Sequence, residues 1–464
     1  MSNIVRYNRG LHFISSLLAI IVCLIVSRGC LWADSGQEKV SAAVGQAGGN
    51  ALTLDAAISE ALKANPTIQA GMYDIEAAQR QVGVSKGHLY GELDAVATAQ
   101  HLNDPQLLRP MSKELASGGL VSLPFAQDQL HVGAIYTYPL YVGGQIMNHV
   151  RIDEISLNQT RTLLAGTRQD VIYNVTSLFA QARALAAQAE AIQRDIDALE
   201  ATRRNLELAV KIGKRPEVDL LKTVDRISEA EAARTDAIGR QQKLIAVLMS
   251  VMGRDPAQPA VLAALPDHLP QLVTGTPEMQ SAASRRSSVA IAELAEDKDK
   301  KRAALARGAL DPAVSLQASY LQNVDPSSWD QWYETWFVGM QVTLPVFDGG
   351  SRRSELSRIR AEAKAARERL IGARLQAASD LQSALAGWRS SQDQLQAADA
   401  QYASAHEVAR IEQVRFDTGA GDIEDLLRAR SREVAAESAQ IAARAQIVVS
   451  AAQINHVTES EAAK

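Results

Sequence analysis

The residue types that carry most enzyme chemistry are few and scattered in this sequence of 464 residues. The eight histidines stand singly, and Cys23 and Cys30 are the only cysteines. The sequence contains no glycine-rich phosphate loop, no dinucleotide fingerprint after a predicted strand, no zinc-spaced cluster and no Ser/His/Asp set that spacing identifies. The formal net charge of −5 gives no reason to expect nucleic-acid binding. We therefore predict no enzyme, no catalytic residue, no cofactor, no metal site and no nucleic-acid partner.

The N-terminus has the order of regions found in a secretory signal peptide. Two arginines precede a short apolar run, and a segment that ends with the small residue Ala33 follows the run. The run is too short to cross a bilayer as a helix. We predict a signal peptide over 1–33, which contains both cysteines, and a flexible segment over 34–50. A lipidated N-terminus at Cys30 is the alternative, although Arg28 before it fits the lipoprotein pattern poorly.

The rest of the sequence consists of two copies of one unit. Residues 138–145, which contain Pro-Leu-Tyr-Val-Gly-Gly, recur as 344–351, which contain Pro-Val-Phe-Asp-Gly-Gly, at an offset of 206. The same offset relates Gly213 and the residues after it to Gly419 and the residues after it. Self-similarity of this kind indicates a tandem repeat architecture.

The earlier part of each copy aligns at a larger offset. Residues 86–89 match 307–310 at an offset of 221, so the first copy has 15 additional residues between the two matching regions. We place those residues in the polar stretch 103–127, whose proline and glycine content predicts a loop.

Each copy predicts a helix, a β-hairpin, a very long helix and a return helix. Neither long helix contains proline, and each would be about 100 Å long. In copy one we predict the first helix near 54–89, two strands near 91–101 and 130–140, the long helix at 145–212 and the return helix near 217–252. In copy two we predict the first helix near 278–310, two strands near 313–321 and 336–347, the long helix at 351–418 and the return helix near 422–457. The predicted domains are repeat one over 51–253, a proline-rich linker over 254–277, repeat two over 278–457 and a tail over 458–464.

The predicted strands alternate apolar and polar side chains. Alternation over about ten residues is typical of outer-membrane barrel strands, but a hairpin half-buried against helices would alternate too. Trp329, Trp332 and Trp336 crowd one hairpin end, and this clustering favours a membrane interface. Four strands cannot close a barrel alone, so the edge strands must pair with other copies of the chain.

The predicted long helices carry coiled-coil features. Ile192, Ile196 and Leu199 fall on a/d spacing, which indicates a helix-on-helix core. Gly213 and Gly419 stand just past the ends of the long helices, where a C-terminal cap needs glycine. Each turn therefore closes a helical hairpin.

The order and spacing of these segments resemble the TolC-like outer membrane factor family. The resemblance rests on the opening Leu52-Thr53-Leu54-Asp55 with the later Asn65-Pro66, on the two Gly-Gly junctions and on the two Gly…Asp-Leu-Leu tips. It covers nearly all of residues 50–457, and no single motif is decisive.

The resemblance implies an α+β membrane protein in which two tandem repeats of helix, β-hairpin and long coiled-coil helical hairpin assemble as a homotrimer. Three chains would form a twelve-stranded β-barrel in the outer membrane, continuous with a twelve-helix α-barrel in the periplasm. Such a protein is the passive exit duct of a tripartite efflux pump or type I secretion system. Its implied partners are outer-membrane lipid, a periplasmic adaptor protein and, through the adaptor, an inner-membrane pump. The sequence does not identify the transported substrate.

The resemblance also assigns roles to residues at the two helical tips. The implied adaptor-contacting residues are Gly213, Lys214, Arg215, Gly419, Ala420 and Gly421. The implied pore constriction consists of Asp219, Asp425, Phe416 and Arg428. The sequence departs from the family at three of these positions: Phe416 replaces a common tyrosine, Gly421 stands where an arginine can link the hairpins, and Arg428 replaces an acidic residue. These departures predict a gate held by different contacts, and a solvated helix end is the alternative for each charge.

A soluble periplasmic coiled-coil scaffold or adaptor is the alternative function. A signal peptide and helical hairpins permit it. Adaptors usually carry one helical hairpin flanked by β-rich domains, whereas this sequence has two equal copies with β-hairpins at equivalent places.

Overall fold

The computed structural model describes residues 51–113, 123–265, 276–327, 329 and 331–459. The predicted signal peptide and the segment 34–50 lie outside these ranges. The elements in chain order are α1 (Leu54–Ala64), α2 (Pro66–Gly87), a 3-10 turn (His88–Tyr90), β1 (Glu92–Leu107), β2 (Phe125–Val142), α3 (Gln145–Lys211), α4 (Glu217–Val251), α5 (Thr276–Ala283), α6 (Ser287–Gly308), β3 (Ala313–Val324), β4 (Tyr333–Thr343), α7 (Ser351–Asp417) and α8 (Ile423–Thr458).

The lengths and starting positions of the helices α2, α3, α6 and α7 agree with the internal repeat of the sequence. Helices α3 and α7 each have 67 residues, and their first residues are 206 apart in the sequence. Helices α2 and α6 each have 22 residues, and their first residues are 221 apart. At a rise of 1.5 Å per residue, each long helix extends for about 100 Å.

The prediction of one continuous first helix in each copy was wrong. In copy one the backbone of Asn65 is extended, with φ −61° and ψ 123°, and α1 ends before it. The residue before a proline avoids the helical region, and here that proline is Pro66. The Asn65 side chain then caps α2 by accepting hydrogen bonds from the backbone N–H groups of Thr67 and Ile68. In copy two the break lies at Arg286, whose ψ of 155° is also extended.

The first β-hairpin is longer than predicted. Part of the stretch 103–127 that we predicted as a loop belongs to β1 and β2, because Gln106 and Leu107 pair with Ala126 and Phe125 beyond a register shift. Residues 114–122 of that stretch lie outside the described ranges. Conversely, β4 ends at Thr343 rather than near 347. Pro345 follows, and a proline has no N–H to donate to a strand ladder.

The four strands form one antiparallel sheet in the order β1-β2-β3-β4. The β2–β3 pair joins the two copies, and β1 and β4 are the edges of the described sheet. Because successive side chains point to opposite faces, the register sorts them into two sets. One face is mainly apolar and includes Leu93, Ala95, Ala97, Leu130, Val132, Leu316, Ala318, Trp336, Val338, Met340 and Val342. The other face is mainly polar and includes Asp94, Thr98, Gln100, Gln129, His131, Gln317, Ser319, Asn323, Thr335 and Gln341.

The helices pack as two hairpins, α3 with α4 and α7 with α8, with α6 between α3 and α7. The largest apolar cluster surrounds Phe179 of α3 and includes Ile68 of α2 and Leu248 of α4. A second cluster joins Leu381 and Trp388 of α7 to α8. The coiled-coil spacing in the two long helices predicts nine core residues. Seven of them are buried, namely Ile192, Ile196, Leu199, Leu206, Leu381, Leu385 and Trp388, and the other two, Val210 and Leu395, are partly buried. These stripes therefore form helix-on-helix core.

Candidate functional site

The first helical tip is a Schellman turn, in which a left-handed glycine ends a helix and two backbone N–H groups bond back to it. Gly213 follows α3 with φ +74°. Its N–H donates to the carbonyl of Val210 at 2.9 Å, and the N–H of Lys214 donates to the carbonyl of Ala209 at 2.8 Å. A Cβ at Gly213 would meet nothing within 4 Å, so the tip surface is open in the chain.

The second tip repeats this turn after α7. Gly419 has φ +78°, and its N–H donates to the carbonyl of Phe416 at 3.0 Å. The N–H groups of Ala420 and Gly421 both donate to the carbonyl of Arg415 at 2.9 Å. A Cβ at Gly419 would meet nothing within 4 Å, whereas a Cβ at Gly421 would lie 3.0 Å from the Phe416 nitrogen. A side chain at Gly421 would therefore crowd the turn.

An apolar cluster lies beneath the two tips and holds them together. Phe416 is buried there against Leu206 of α3 and against Ile423 and Leu426 of α8. The structure therefore shows Phe416 packed between the two hairpins of one chain. Its placement at a pore constriction stays a prediction.

Arg215 connects the first tip to the second. Its guanidinium donates from Nη2 to the carbonyl oxygen of Gly421 at 3.3 Å and lies 4.8 Å from the centre of the Phe416 ring. Its Nη1 is 4.0 Å from Oδ2 of Asp219. Arg215 and Gly421 are 206 residues apart and so occupy the same position in the two repeats. The family resemblance leads us to expect an arginine at the position of Gly421. In this chain the arginine stands instead at the equivalent position of the first repeat, as Arg215.

A second connection between the tips is ionic and exposed. Lys222 Nζ donates to Oε2 of Glu424 at 3.1 Å, and this hydrogen bond raises the pKa of Lys222. Arg428 donates to Oε1 of the same Glu424 at 2.9 Å and lies 3.8 Å from Asp425. The sequence analysis missed Lys222 and Glu424. The pairing of a basic residue near one tip with an acidic residue near the other was the only available signal.

The two acidic residues predicted at the constriction have different surroundings. The Asp219 side chain is 8% exposed and lies beside the guanidinium of Arg215. The Asp425 side chain is 54% exposed. Although both stand at the same position of their repeats, only Asp425 is available to a lumen or a partner in the single chain.

A buried charged layer crosses the hairpins above the tips. Asp195 of α3 is buried, and Arg430 of α8 approaches it to 3.9 Å. Its Oδ2 atom has no hydrogen-bond partner within the protein. Burial raises the pKa of Asp195, and the nearby Arg226 and Arg430 only partly oppose this effect. The sequence analysis did not predict this layer, because it depends on how α3, α4 and α8 meet.

The polar face of the sheet carries a hydrogen-bonded row of side chains across all four strands. Gln100 of β1 donates to Gln129 of β2 at 3.0 Å. Nδ1 of His131 lies 2.6 Å from Oδ1 of Asn323, and Nδ2 of Asn323 donates to Oγ1 of Thr335 in β4 at 2.7 Å. On the opposite face large apolar side chains such as Trp336 are exposed. A sheet with these two faces can separate water from an apolar surrounding.

Two observations concern what the described residues do not contain. No helix among them is both long enough and apolar enough to cross a membrane. Across the same ranges, no group of three or more His, Cys, Asp or Glu side chains is arranged to hold a metal ion.

Comparison with known proteins gives a consistent result. Residues 57–254 and 279–458 match the family model described as Outer membrane efflux protein. Protein CyaE of Bordetella pertussis is 24% identical over 404 residues, which are 85% of this chain and 81% of that protein. Outer membrane protein OprJ of Pseudomonas aeruginosa is 23% identical over 399 residues, which are 84% of this chain and 81% of that protein.

A solved structure shares the fold. The CmeC outer membrane channel of Campylobacter jejuni matches with a TM-score of 0.75 at 16% identity, over 88% of this chain and 87% of that chain. The two segments that match the family model leave a gap at 255–278, which falls on the proline-rich stretch between the repeats.

Proposed function

The chain belongs to the outer membrane efflux protein family, and from that membership we propose that three copies form the outer-membrane exit duct of a tripartite efflux or type I secretion system. The proposed trimer places the sheets in the outer membrane and the long helical hairpins in the periplasm. An adaptor protein contacts the tips, and an inner-membrane pump acts through that adaptor. The names of the relatives CyaE and OprJ do not identify the cargo of this chain.

The two-faced sheet with two unpaired edges is the observation that supports this proposal most directly. Its apolar face suits lipid and its polar face suits a water-filled lumen. Strand edges left unpaired in lipid would cost several kcal/mol per backbone group, so other chains must pair with β1 and β4. Three sheets of four strands give the twelve strands of the proposed barrel.

The tips form the proposed gate. In each chain the inter-tip contacts, Arg215 with Gly421 and Lys222 with Glu424, hold the first hairpin against the second. Conduction requires the tips to move apart, so an adaptor opens the duct by binding the separated tips more tightly than the closed ones. The hydrogen bond from the charged Arg215 contributes roughly 1–3 kcal/mol per chain, an amount that binding can overcome.

Fractionation combined with single-channel recording tests the proposal. The protein should remain in the outer membrane after carbonate washing and should purify in detergent as a trimer. Reconstituted into planar bilayers, it should conduct ions weakly until the tips are loosened. A monomer released by carbonate would instead support the periplasmic scaffold and would refute the duct.

A further inference from the structure

We propose that the outer flank of helix α7, in the half of the helix next to the sheet, is a docking surface for an acidic helix of a partner protein. The surface consists of Arg353, Arg360, Lys364 and Arg367, and we call it the basic stripe. The inference rests on the proposed function only where it decides which flank of α7 is the outer one. The stripe itself is a property of the single chain.

The spacing of the four cations places them on one flank of α7. Arg353, Arg360 and Arg367 follow one another at intervals of seven residues, and Lys364 stands four residues after Arg360. Side chains that are three, four or seven residues apart lie on the same side of an α-helix. All four cations are exposed, and the stripe extends for about 20 Å along the helix axis.

No carboxylate of the described residues neutralises the stripe. Each of its four cations lies farther than 4 Å from every aspartate and glutamate in the described ranges. Other cations in the same half of α7 are paired. Arg352 lies 3.5 Å from Asp348, and Arg358 pairs with both Glu355 and Glu362. Carboxylates are therefore available along α7, yet none of them serves the stripe.

The first repeat has no such stripe at the equivalent positions of α3. The counterparts of the four cations, 206 residues earlier, are Met147, Glu154, Asn158 and Arg161. One of these is an anion and one is a cation, so they carry no net charge, whereas the stripe carries four positive charges. Glu154 is itself neutralised by Lys86 at 3.0 Å. The stripe is therefore not a requirement of the repeated fold, because repeat one folds without it.

A recess continues the stripe at the end that is farther from the sheet. Arg374 stands seven residues after Arg367 and donates to Glu293 of α6 at 2.6 Å. Arg285 is exposed, and no carboxylate of the described residues lies within 4 Å of it. The recess has a volume of about 500 Å³, and its lining is mostly polar and charged: Ser284, Arg285, Ala290, Glu293 and Arg374.

The contacts of the short helix α5 identify the flank of α7 that carries the stripe. Leu381 and Trp388 continue the same seven-residue series, two and three intervals after Arg367. Both belong to one apolar cluster with Ala283 of α5. The stripe and α5 therefore lie on the same side of α7. A helix inside a narrow channel would obstruct it, so in the proposed duct this side is the outer one and the stripe faces the periplasm.

An acidic helix is the occupant that the charge and the spacing select. Cations at intervals of three, four and seven residues match carboxylates at the same intervals on a helix that lies alongside α7. Arginine supplies three of the four cations, and its planar guanidinium binds a carboxylate through two parallel hydrogen bonds. Ile371, four residues after Arg367, is 42% exposed and adds an apolar contact on the same flank.

A flat anionic surface fits the stripe less well than a helix does. In the proposed duct α7 stands across the periplasm, so a lipid leaflet parallel to the membrane would contact only the first turn of the helix. The stripe also lies far from the tips, because Arg367 is about 75 Å from the end of α7 by helix rise. A partner of the stripe would therefore dock apart from an adaptor at the tips.

Binding of a designed acidic peptide tests the docking surface. The probe is a fluorescein-labelled helical peptide of about 20 residues, which matches the length of the segment 353–374. Its glutamates alternate at intervals of three and four residues on an alanine and glutamine background. Fluorescence anisotropy would follow binding to the purified full-length protein at low salt, where charges are weakly screened. The variant with Arg360→Gln, Lys364→Gln and Arg367→Gln, the stripe variant, should bind about tenfold more weakly than the native protein.

Three substitutions elsewhere provide the matched control. Arg161→Gln, Arg204→Gln and Arg369→Gln remove the same charge from exposed positions, and Arg369 lies on the opposite flank of α7 from Arg367. This control variant should bind the peptide as the native protein does. Glutamine is a good helix former, so both variants should keep the native yield and thermal stability. A second peptide of the same composition, with its glutamates spread around the helix, should bind more weakly than the first.

Three results would overturn the inference. Equal losses of binding in the stripe variant and the control variant would mean that only net charge matters. Equal binding of the two peptides would exclude recognition of an acidic helix face. Sedimentation with purified peptidoglycan by the native protein but not by the stripe variant, without peptide binding, would assign the stripe to the cell wall instead.

The docking surface and the proposed duct fail in different ways. Conductance and trimer yield should be the same for the native protein and the stripe variant, and a changed conductance would place the stripe in the lumen and overturn its outer position. A channel-forming trimer that does not bind the peptide would overturn the docking surface and leave the duct intact. A monomer that binds the peptide and is released by carbonate would refute the duct instead.

Discussion

The turn after α3 and the turn after α7 share the same two capping hydrogen bonds, yet they carry different side chains. The first hairpin presents two cations, Arg215 and Lys222, to the second. The second hairpin presents the acceptors, the Gly421 carbonyl and the Glu424 carboxylate. The comparison shows how a duplicated unit becomes a matched pair: the repeat preserves the turn, and single substitutions make its two versions complementary.

The largest effect should come from bulk on an open tip. Gly419→Trp should abolish export while trimer yield stays normal, because a helix about 100 Å long separates the tip from the β-sheet and the tip surface is free. Gly419→Ala is the matched control, since it carries the same positive-φ strain of about 1 kcal/mol without the bulk. Export assays on both variants measure the difference. If Gly419→Ala fails equally, backbone strain rather than a partner surface is responsible.

Loss of the first inter-tip contact should have the next largest effect. Arg215→Ala removes the hydrogen bond to Gly421 and the cation above Phe416, so resting conductance in planar bilayers should rise several-fold. Arg215→Lys should give an intermediate value, because an ammonium lacks the planar guanidinium fork. Moving the arginine with Arg215→Gly and Gly421→Arg should not restore the low conductance, because a Cβ at position 421 would lie 3.0 Å from the Phe416 nitrogen and crowd the turn. Unchanged conductance for Arg215→Ala would show that this contact does not hold the gate.

These effects can be compared with what the sequence alone predicts. The fixed offset located both tips and both capping glycines, because glycine at a helix end is a local requirement that spacing reveals. The partner of Arg215 is a backbone carbonyl, which no residue type marks. Lys222 and Glu424 are 202 residues apart, so only the packing of the hairpins brings them together. Asn65 precedes Pro66, so the sequence itself indicated that a helix ends there. The prediction of one first helix in each repeat overlooked this signal.

Exposed and buried acids at equivalent positions sharpen the comparison further. Asp425→Ala should change ion selectivity without altering trimer stability, because the proposed trimer would bring three exposed carboxylates together near its axis, where they would interact in a poorly screened space. Asp219→Ala should instead lower the stability of the tip, since Asp219 is buried beside Arg215. Reversal potentials and thermal unfolding distinguish the two. If Asp425→Ala leaves selectivity unchanged, Asp425 is a solvated helix-end charge.

The smallest effect should come from the exposed ion pair. Lys222→Ala should raise resting conductance less than Arg215→Ala, because solvent screens a pair at the surface. The increase should disappear at about 1 M salt, where the Debye length is only about 3 Å. Glu424→Gln should reproduce the salt-dependent part. An effect of Lys222→Ala that persists at high salt would mean that the residue acts through packing.

The buried layer around Asp195 couples the stability of the helices to the acidity of the medium. Because burial raises the pKa of Asp195 in the folded chain, this group favours folding most when it is protonated. Its contribution is complete below the unfolded pKa and is lost as pH rises through the folded pKa. Thermal unfolding between about pH 4 and pH 7, above the ordinary aspartate pKa of about 3.9, should therefore show a steeper loss of stability with pH in the native protein than in Asp195→Asn. Equal slopes would exclude the coupling. A duct with this layer would gain stability in its helical walls whenever its surroundings turn acid.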